Sequence, residues 1–384
     1  MVRLRRPLER SVREGHPWIY RDALEPFEAA PGQVLSLLDR KGRFLARGFA
    51  ELGPIALRVL TTRDEPLDAG LLGRRLATAQ ELRERVLPER TSAYRLVHGE
   101  GDRLPGIVVD RYDEVAVLSL DGPGATAFSE RILDPLRALL SSLGVQTLLR
   151  RAGRREERRV ERIFGPEPAS PLAIEERGMI LFADLRRGQK TGLFLDHRES
   201  RRRVRGLSRG LRVLDLYCNA GGFSIAAALG GAAHVTSVDI SAGALEMARL
   251  SFEANGLGVI PHQAIAADVV EYLGGAAGRE PPWDLIIADP PSFAPSEKAV
   301  PKALESYTRL HAAALARLAP GGLYLAASCS SHVDHGAFLE TIRQGARKAG
   351  RSLQLLERSS APADHPRLLA FPEGDYLSIF LTRA

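Results

Sequence analysis

The chain holds only two cysteines among its 384 residues, Cys218 and Cys329, and no close Cys or His pairs at ligand spacing. That excludes a disulfide framework and leaves a structural zinc site, or any other metal centre, without support. No uninterrupted apolar run is long enough to cross a bilayer, which takes about 20 residues. The basic opening Met1-Val2-Arg3-Leu4-Arg5-Arg6 is followed by no long apolar stretch, so a secretory signal is not expected. No membrane partner is expected, and the expected compartment is the cytoplasm.

What is present has the composition of a globular protein, with 45% apolar residues. Its length favours roughly two to three domains. The net charge of +6 is modest for the size and is carried mostly by arginine. Arginine suits bidentate contact with phosphate, but a GC-rich coding sequence explains the excess equally well, so charge permits a nucleic acid partner without requiring one.

Residues 1–68 read as short β segments. Residues 34–38 and 44–46 flank the turn signal Asp39-Arg40-Lys41-Gly42, and residues 55–60 alternate again. The polar break Thr61-Thr62-Arg63-Asp64-Glu65-Pro66 precedes a change of period, where Leu72, Leu76, Ala79 and Leu82 share one helical face. Residues 69–183 then read as a mixed α+β region. It has a β pair at 106–112 and 114–120, a helix over 125–143 and a strand at 145–149. The mixed-charge run 150–159 reads as a solvated face. Over residues 184–384 strands and helices alternate, which argues for a parallel sheet covered by helices on both faces. No internal repeat is found.

The segment Val213-Leu214-Asp215-Leu216-Tyr217-Cys218-Asn219-Ala220-Gly221-Gly222-Phe223 is a strand, a small-residue turn and a helix, placed where open α/β sheets bind ligands. A dinucleotide site would carry G-x-G-x-x-G to approach a pyrophosphate. Here an Asp is expected to end the strand instead. S-adenosylmethionine has an ammonium and a sulfonium but no phosphate, so acceptors suit it better. Asp215 and the turn residues Tyr217, Asn219 and Gly221 form its expected cradle. Asp239 ends the next strand, placed for the ribose hydroxyls, and Asp268 is placed for the adenine amino group. Helix capping is the other use of such acids. Three of them in successive β-to-α turns favour a ligand.

Asp289-Pro290-Pro291-Ser292-Phe293 follows a further strand. The prolines fix the backbone, so Asp289 is expected to meet a base edge and Phe293 to stack on the base. Such a loop also serves enzymes that methylate exocyclic amines. Ser328-Cys329-Ser330-Ser331 closes the next strand on the same crevice. Carbon 5 of cytosine is a poor nucleophile, and its methylation requires thiolate attack at carbon 6 with an acid near nitrogen 3. Cys329 and Asp289 suit those roles. A small buried hydrophobe is the alternative reading of Cys329 and the favoured one for Cys218.

At these residues the chain resembles the bacterial 23S ribosomal RNA 5-methylcytosine methyltransferases that carry an N-terminal PUA domain. The likeness covers nearly the whole chain. It includes Gly15-His16-Pro17-Trp18-Ile19-Tyr20, residues 94–106, Asp364-His365-Pro366, and the segment Gly188-Gln189-Lys190-Thr191-Gly192-Leu193-Phe194-Leu195-Asp196-His197-Arg198. The resemblance implies that Lys190, Thr191, Phe194 and Arg198 help enclose the cofactor. It also implies that Pro290, Pro291 and Phe293 meet the substrate and that 23S ribosomal RNA is the partner. The implied architecture is α/β: a Rossmann-like methyltransferase domain preceded by a β-rich PUA-like domain and an α+β middle domain. Two departures stand out. Ser292 occupies the place where many RNA 5-methylcytosine enzymes carry a second Cys, so the base that removes the ring proton stays unnamed. Residues 191–198 also resemble enzymes that methylate nitrogen 7 of guanine, which lack a Cys at the position of Cys329. Nitrogen methylation of guanine or adenine is therefore the rival reading. A non-catalytic RNA-binding assembly factor is a weaker one, against which Asp239, Asp289 and Cys329 argue. The sequence leaves open whether the chain forms a homodimer.

Overall fold

The computed structural model describes residues 1–152 and 159–384, so residues 153–158 of the mixed-charge run lie outside the described residues. The chain forms two compact units, one of residues 1–169 with 363–374, the other of residues 170–362 with 375–384.

The first unit opens with a five-stranded sheet whose antiparallel strands Val34–Leu38, Phe44–Ala50 and Ile55–Thr61 lie between Val2–Arg3 and Trp18–Tyr20. Alternation drives it: Leu35 and Leu37 point inward with Val2, Leu4 and Leu57. The turn after Leu38 forms as its sequence signals. Asp39 Oδ1 accepts the amides of Lys41 and Arg43, each at 2.9 Å, and Gly42 takes φ +80.

A second five-stranded sheet follows, in the order Arg159–Phe164, Thr147–Ala152, Val115–Leu120, Ile107–Tyr112, Ala93–His98. The helix Ala69–Val86 starts at Asp68, whose side chain accepts the Leu71 amide at 2.9 Å, and it buries Leu72, Leu76 and Ala79. Leu82 is only half-buried, and the neighbouring Arg83 takes the fully buried place. Its guanidinium forms two hydrogen bonds with Asp102, at 2.6 and 2.7 Å, and donates to the carbonyls of Arg95 and Asp364. The helix expected over 125–143 is two helices, Pro123–Ser129 and Leu133–Ser142. Pro135 is the reason: it lacks an amide hydrogen and its ring clashes with the preceding turn, so it fits only the first turn of a new helix. Buried Arg58 pairs with Glu100 and Asp121, both at 2.7 Å, and with Glu51 at 3.2 Å. These bonds tie the first sheet to the second.

The second unit is built on a seven-stranded sheet, in the order His262–Ala266, His234–Asp239, Arg212–Leu216, Trp283–Ala288, Leu318–Ser328, Ser378–Arg383, Gln354–Ser359. Its first five strands are parallel, and Ser378–Arg383 runs antiparallel to both neighbours. Continuous apolar runs such as Leu285, Ile286 and Ile287, all fully buried, belong to strands covered on both faces. The helix Ala242–Ala254 begins at Ser241, whose hydroxyl accepts the Ala244 amide, and is closed by Asn255 and Gly256. Chain order reverses between Arg212–Leu216 and Trp283–Ala288. The crevice beyond their carboxyl ends is thus the switch point where such sheets take ligands.

Candidate active site

Asp215 lies one residue before the end of its strand and is fully buried. Its Oδ2 accepts the Ser224 amide at 3.0 Å and the Ser224 hydroxyl at 2.6 Å, tying the strand to the helix Gly222–Leu229. Its Oδ1 has no partner among the described residues. Burial, only partly offset by the Ser224 bonds, pushes this carboxyl up to about 7. Behind it, Ser224 and Ser237 hydroxyls meet at 2.6 Å, and Ser237 reaches His262 Nε2 at 2.8 Å.

The turn that follows is backbone held in an unfavourable region. Tyr217, Asn219 and Gly221 all have positive φ, at 60, 48 and 73 degrees. Such a conformation costs about 1–3 kcal/mol at a non-glycine residue and persists only where its surroundings impose it. Here the Asn219 amide donates to Asp239 Oδ2 at 2.9 Å, and the Gly221 amide to the Cys218 carbonyl at 2.8 Å. Gly221 has no substitute, because a Cβ there would stand 2.6 Å from that of Ala248. Cys218 is buried at 5% exposure, the packing role its position suggested.

The other two acids also serve the backbone. Asp239 ends its strand and splits its oxygens between the Asn219 amide and the Ser241 amide, the latter at 2.8 Å. Asp268 is exposed and caps the helix Val269–Gly274 through the amides of Val270 and Glu271. A carboxylate oxygen can accept more than one bond, so these contacts leave acceptor capacity on both.

Asp289 follows the strand Trp283–Ala288, with its side chain 15% exposed and its Oδ2 3.2 Å from His197 Nε2. Burial holds this carboxyl above its ordinary value, against the pull of His197, Lys190 and Arg201. Pro290 is buried and Pro291 exposed. Phe293 leans on the core. Its ring is half-buried, 4.8 Å from the ring of Tyr307 between centroids, because the core offers an apolar surface to cover it. The Tyr307 hydroxyl lies 2.9 Å from both Ser328 Oγ and Ser330 Oγ, and Ser330 Oγ lies 3.0 Å from Ser292 Oγ. Cys329 is therefore bracketed by two anchored serines and joined to the Pro-Pro loop. Burial first, then the Asp289 charge, pushes its thiol up to about 11, while Lys190 pulls it the other way. It rests as a thiol.

The segment 188–201 converges on the same place. Lys190 pairs with Asp196 and lies 4.5 Å from the centre of the Phe194 ring. Tyr376 donates to Asp196 at 2.8 Å. Thr191 and Arg198 are buried, at 3% and 1% exposure. Sequence reasoning missed Arg201, which is clamped to Glu176 at 2.5 and 2.7 Å, donates to the Phe194 carbonyl and lies against Gly222. It also missed His197 as the partner of Asp289 and Tyr307 as the bracket of Cys329. His197 sat inside the quoted segment. Nothing local marks Tyr307.

Among the described residues no group of His, Cys, Asp and Glu could hold a metal ion, and no helix is long and apolar enough to cross a membrane. Residues 131–373 match the family of S-adenosylmethionine-dependent methyltransferases, and residues 2–62 match the PUA-like domain family. A ribosomal RNA large subunit methyltransferase of Deinococcus radiodurans is 38% identical, over 99% of this chain and 96% of its own. Ribosomal RNA large subunit methyltransferase I of Photobacterium profundum is 37% identical, over 97% and 96%. A methyltransferase solved in complex with SAH shares the fold at a TM-score of 0.88 and 24% identity, covering 100% of this chain and 99% of its own.

Proposed function

This chain belongs to the family of S-adenosylmethionine-dependent ribosomal RNA large subunit methyltransferases, and on that premise we propose that it methylates carbon 5 of a cytosine in 23S ribosomal RNA through a Cys329 adduct. The observation that carries the reading is the Ser292–Ser330 hydrogen bond at 3.0 Å, which holds the Cys329 loop beside the Asp289 loop. Part of the same reading is a division into a PUA-like domain, 1–68, a middle domain, 69–183, and a methyltransferase domain, 184–384.

The cofactor fits the residues present. Asp215 keeps a buried oxygen without a donor, next to the left-handed turn, and a ligand bearing an ammonium would supply one. Asp239 has acceptor capacity for ribose hydroxyls and Asp268 for an adenine amine, with Tyr217, Asn219 and Gly221 shaping the floor. Lys190, Thr191, Phe194 and Arg198 close the other side. S-adenosylmethionine, when bound, supplies an electrophilic methyl on a cationic sulfur.

For the chain's own groups, Cys329 gives up its proton to solvent and Sγ bonds to carbon 6 of the ring. The electron pair of the 5,6 double bond is displaced toward carbon 5 and the ring, and Asp289 donates a proton to nitrogen 3. Its raised affinity for a proton suits it to that task. After carbon 5 is methylated its proton passes to solvent, Sγ departs as thiolate and regains a proton from solvent, and nitrogen 3 returns its proton to Asp289. Pro290 and Pro291 fix the loop that presents Asp289.

Nitrogen methylation of guanine or adenine remains the rival, and the protonated resting state of Cys329 favours it. One experiment separates the two. RNA carrying 5-fluorocytosine at the target should trap an enzyme–RNA adduct, because fluorine cannot leave as a proton does. Cys329→Ala should abolish adduct and turnover with cofactor binding kept, and Cys218→Ala should preserve the adduct. Normal cytosine methylation by folded Cys329→Ala protein would refute the mechanism.

A further inference from the structure

Two of the acids on this crevice are fixed by their own loops. Asp239 accepts the Ser241 amide, and Asp268 accepts the amides of Val270 and Glu271. Asp289 lacks that recourse. The two residues after it are Pro290 and Pro291, and neither carries an amide hydrogen. A carboxylate in that setting must take its orienting donor from elsewhere in the chain.

His197 stands where such a donor is needed, with Nε2 3.2 Å from Asp289 Oδ2. Its Nδ1 is buried and has no partner among the described residues, so Nε2, the nitrogen with an acceptor, is the one that donates. His197 closes the short turn Leu195–His197 ahead of the helix Arg198–Leu207, and its side chain makes no capping bond to that helix. The ring of Phe223 packs against the imidazole, with centroids 5.4 Å apart and planes at 66°. Burial and that contact fix the ring, and with it the direction of the donor. Lys190 and Arg201, the other cations whose charge Asp289 feels, are paired with Asp196 and Glu176. Exposure then separates the two partners. The Asp289 side chain is 15% exposed and that of His197 only 2%, so the crevice reaches the acid and not the imidazole.

We infer that His197 is a positioning residue for Asp289, whose Nε2 hydrogen holds Oδ2 so that Oδ1 is turned to the target base. The inference rests on the reading of Asp289 as the acid that meets the base. The role needs a donor at this place and no proton transfer, so a glutamine amide, whose nitrogen reaches about as far from the backbone, can fill it.

The test uses the full chain, S-adenosylmethionine with a tritiated methyl group and unmethylated 23S RNA made by transcription, and it counts methyl groups transferred whichever atom receives them. His197→Phe keeps a ring against Phe223 and removes the donor, whereas His197→Gln removes the ring and keeps the donor. His197→Phe should lower kcat about 10–100-fold, the scale of a misdirected catalytic group, with KM for both substrates unchanged. His197→Gln should recover most of that loss. In an Asp289→Ala background His197→Phe should cost nothing further, because no carboxylate is left to position. His197→Leu, also without a donor, takes the place of Phe where the thermal midpoint falls.

A histidine that only fills space predicts the reverse order, with Phe near wild type and Gln impaired, and that order would overturn the inference. So would a loss confined to KM, or an equal loss from His197→Phe with and without Asp289. With Asp289→Ala still slow, each of these results leaves the reading of Asp289 standing. Asp289→Ala at the wild-type rate would overturn that reading and the inference with it, as would a wild-type chain that binds S-adenosylmethionine but transfers no methyl group to this RNA.

Discussion

Replacing Asp215 by Asn should change how stability depends on pH, in a direction the burial of this carboxyl dictates. The group titrates at about 7 in the fold against an ordinary value of 3.8. Below pH 4 it is protonated in both folded and unfolded chains and costs nothing. As pH rises the unfolded chain releases the proton first, so stability is lost progressively until pH passes the folded value. Between pH 5 and pH 8 the loss is about 2–3 kcal/mol. Asn does not titrate and keeps a carbonyl to accept from Ser224, so the variant escapes that loss. For a unit of this size, about 2–4 °C follow each kcal/mol. The midpoint of Asp215→Asn, relative to wild type, should therefore climb by about 5–10 °C between pH 5 and pH 8. Differential scanning fluorimetry across that range, without cofactor, measures it. Cofactor affinity should move the other way, by about tenfold or more, because a charge-assisted bond to an ammonium is lost. A midpoint difference that stays constant with pH would refute the claim that this carboxyl is held ionisable and desolvated.

Gly221→Ala should lower stability by roughly 1–3 kcal/mol or more, since alanine must adopt the left-handed backbone and its methyl meets Ala248 at 2.6 Å. Urea unfolding reads this, and an unchanged midpoint would show that the turn relaxes freely. In a Cys218→Ala background, the rate of Cys329 alkylation by iodoacetamide should climb about tenfold per pH step from about 7 to 10, because the thiol titrates near 11. A plateau below pH 9 would mean that the free protein already stabilises the thiolate.

The parts of this molecule legible in sequence are those fixed by local chemistry. Alternation at Leu35 and Leu37, the Asp39 turn and the strand carrying Asp215 all follow from residues a few positions apart. The family likeness placed Lys190, Thr191, Phe194 and Arg198 in the segment that converges on Asp289. What stayed hidden depends on distant partners. Arg83 sits beside Leu82 on a helical face, and nothing nearby says that Asp102 and Asp364 will bury it. The Arg201–Glu176 clamp joins a helix to a hairpin 25 residues away. The packing of Phe293 against Tyr307, which lies on a later helix, stayed hidden for the same reason.

The segment 363–374, which leaves the second unit to complete the first, has a consequence for biosynthesis. Arg83 needs the Asp364 carbonyl, and the Arg95 amide needs the Asp364 carboxylate. A ribosome that has finished residue 169 must add about 200 more before that partner emerges, roughly 10–40 s at about 5–20 residues per second. Domains made first usually fold first, but here the N-terminal unit waits with a buried guanidinium site half built until nearly the whole catalytic unit has been made. A late stretch of the chain thus closes the first part, and a nascent protein that stalls within the catalytic unit lacks the closing piece.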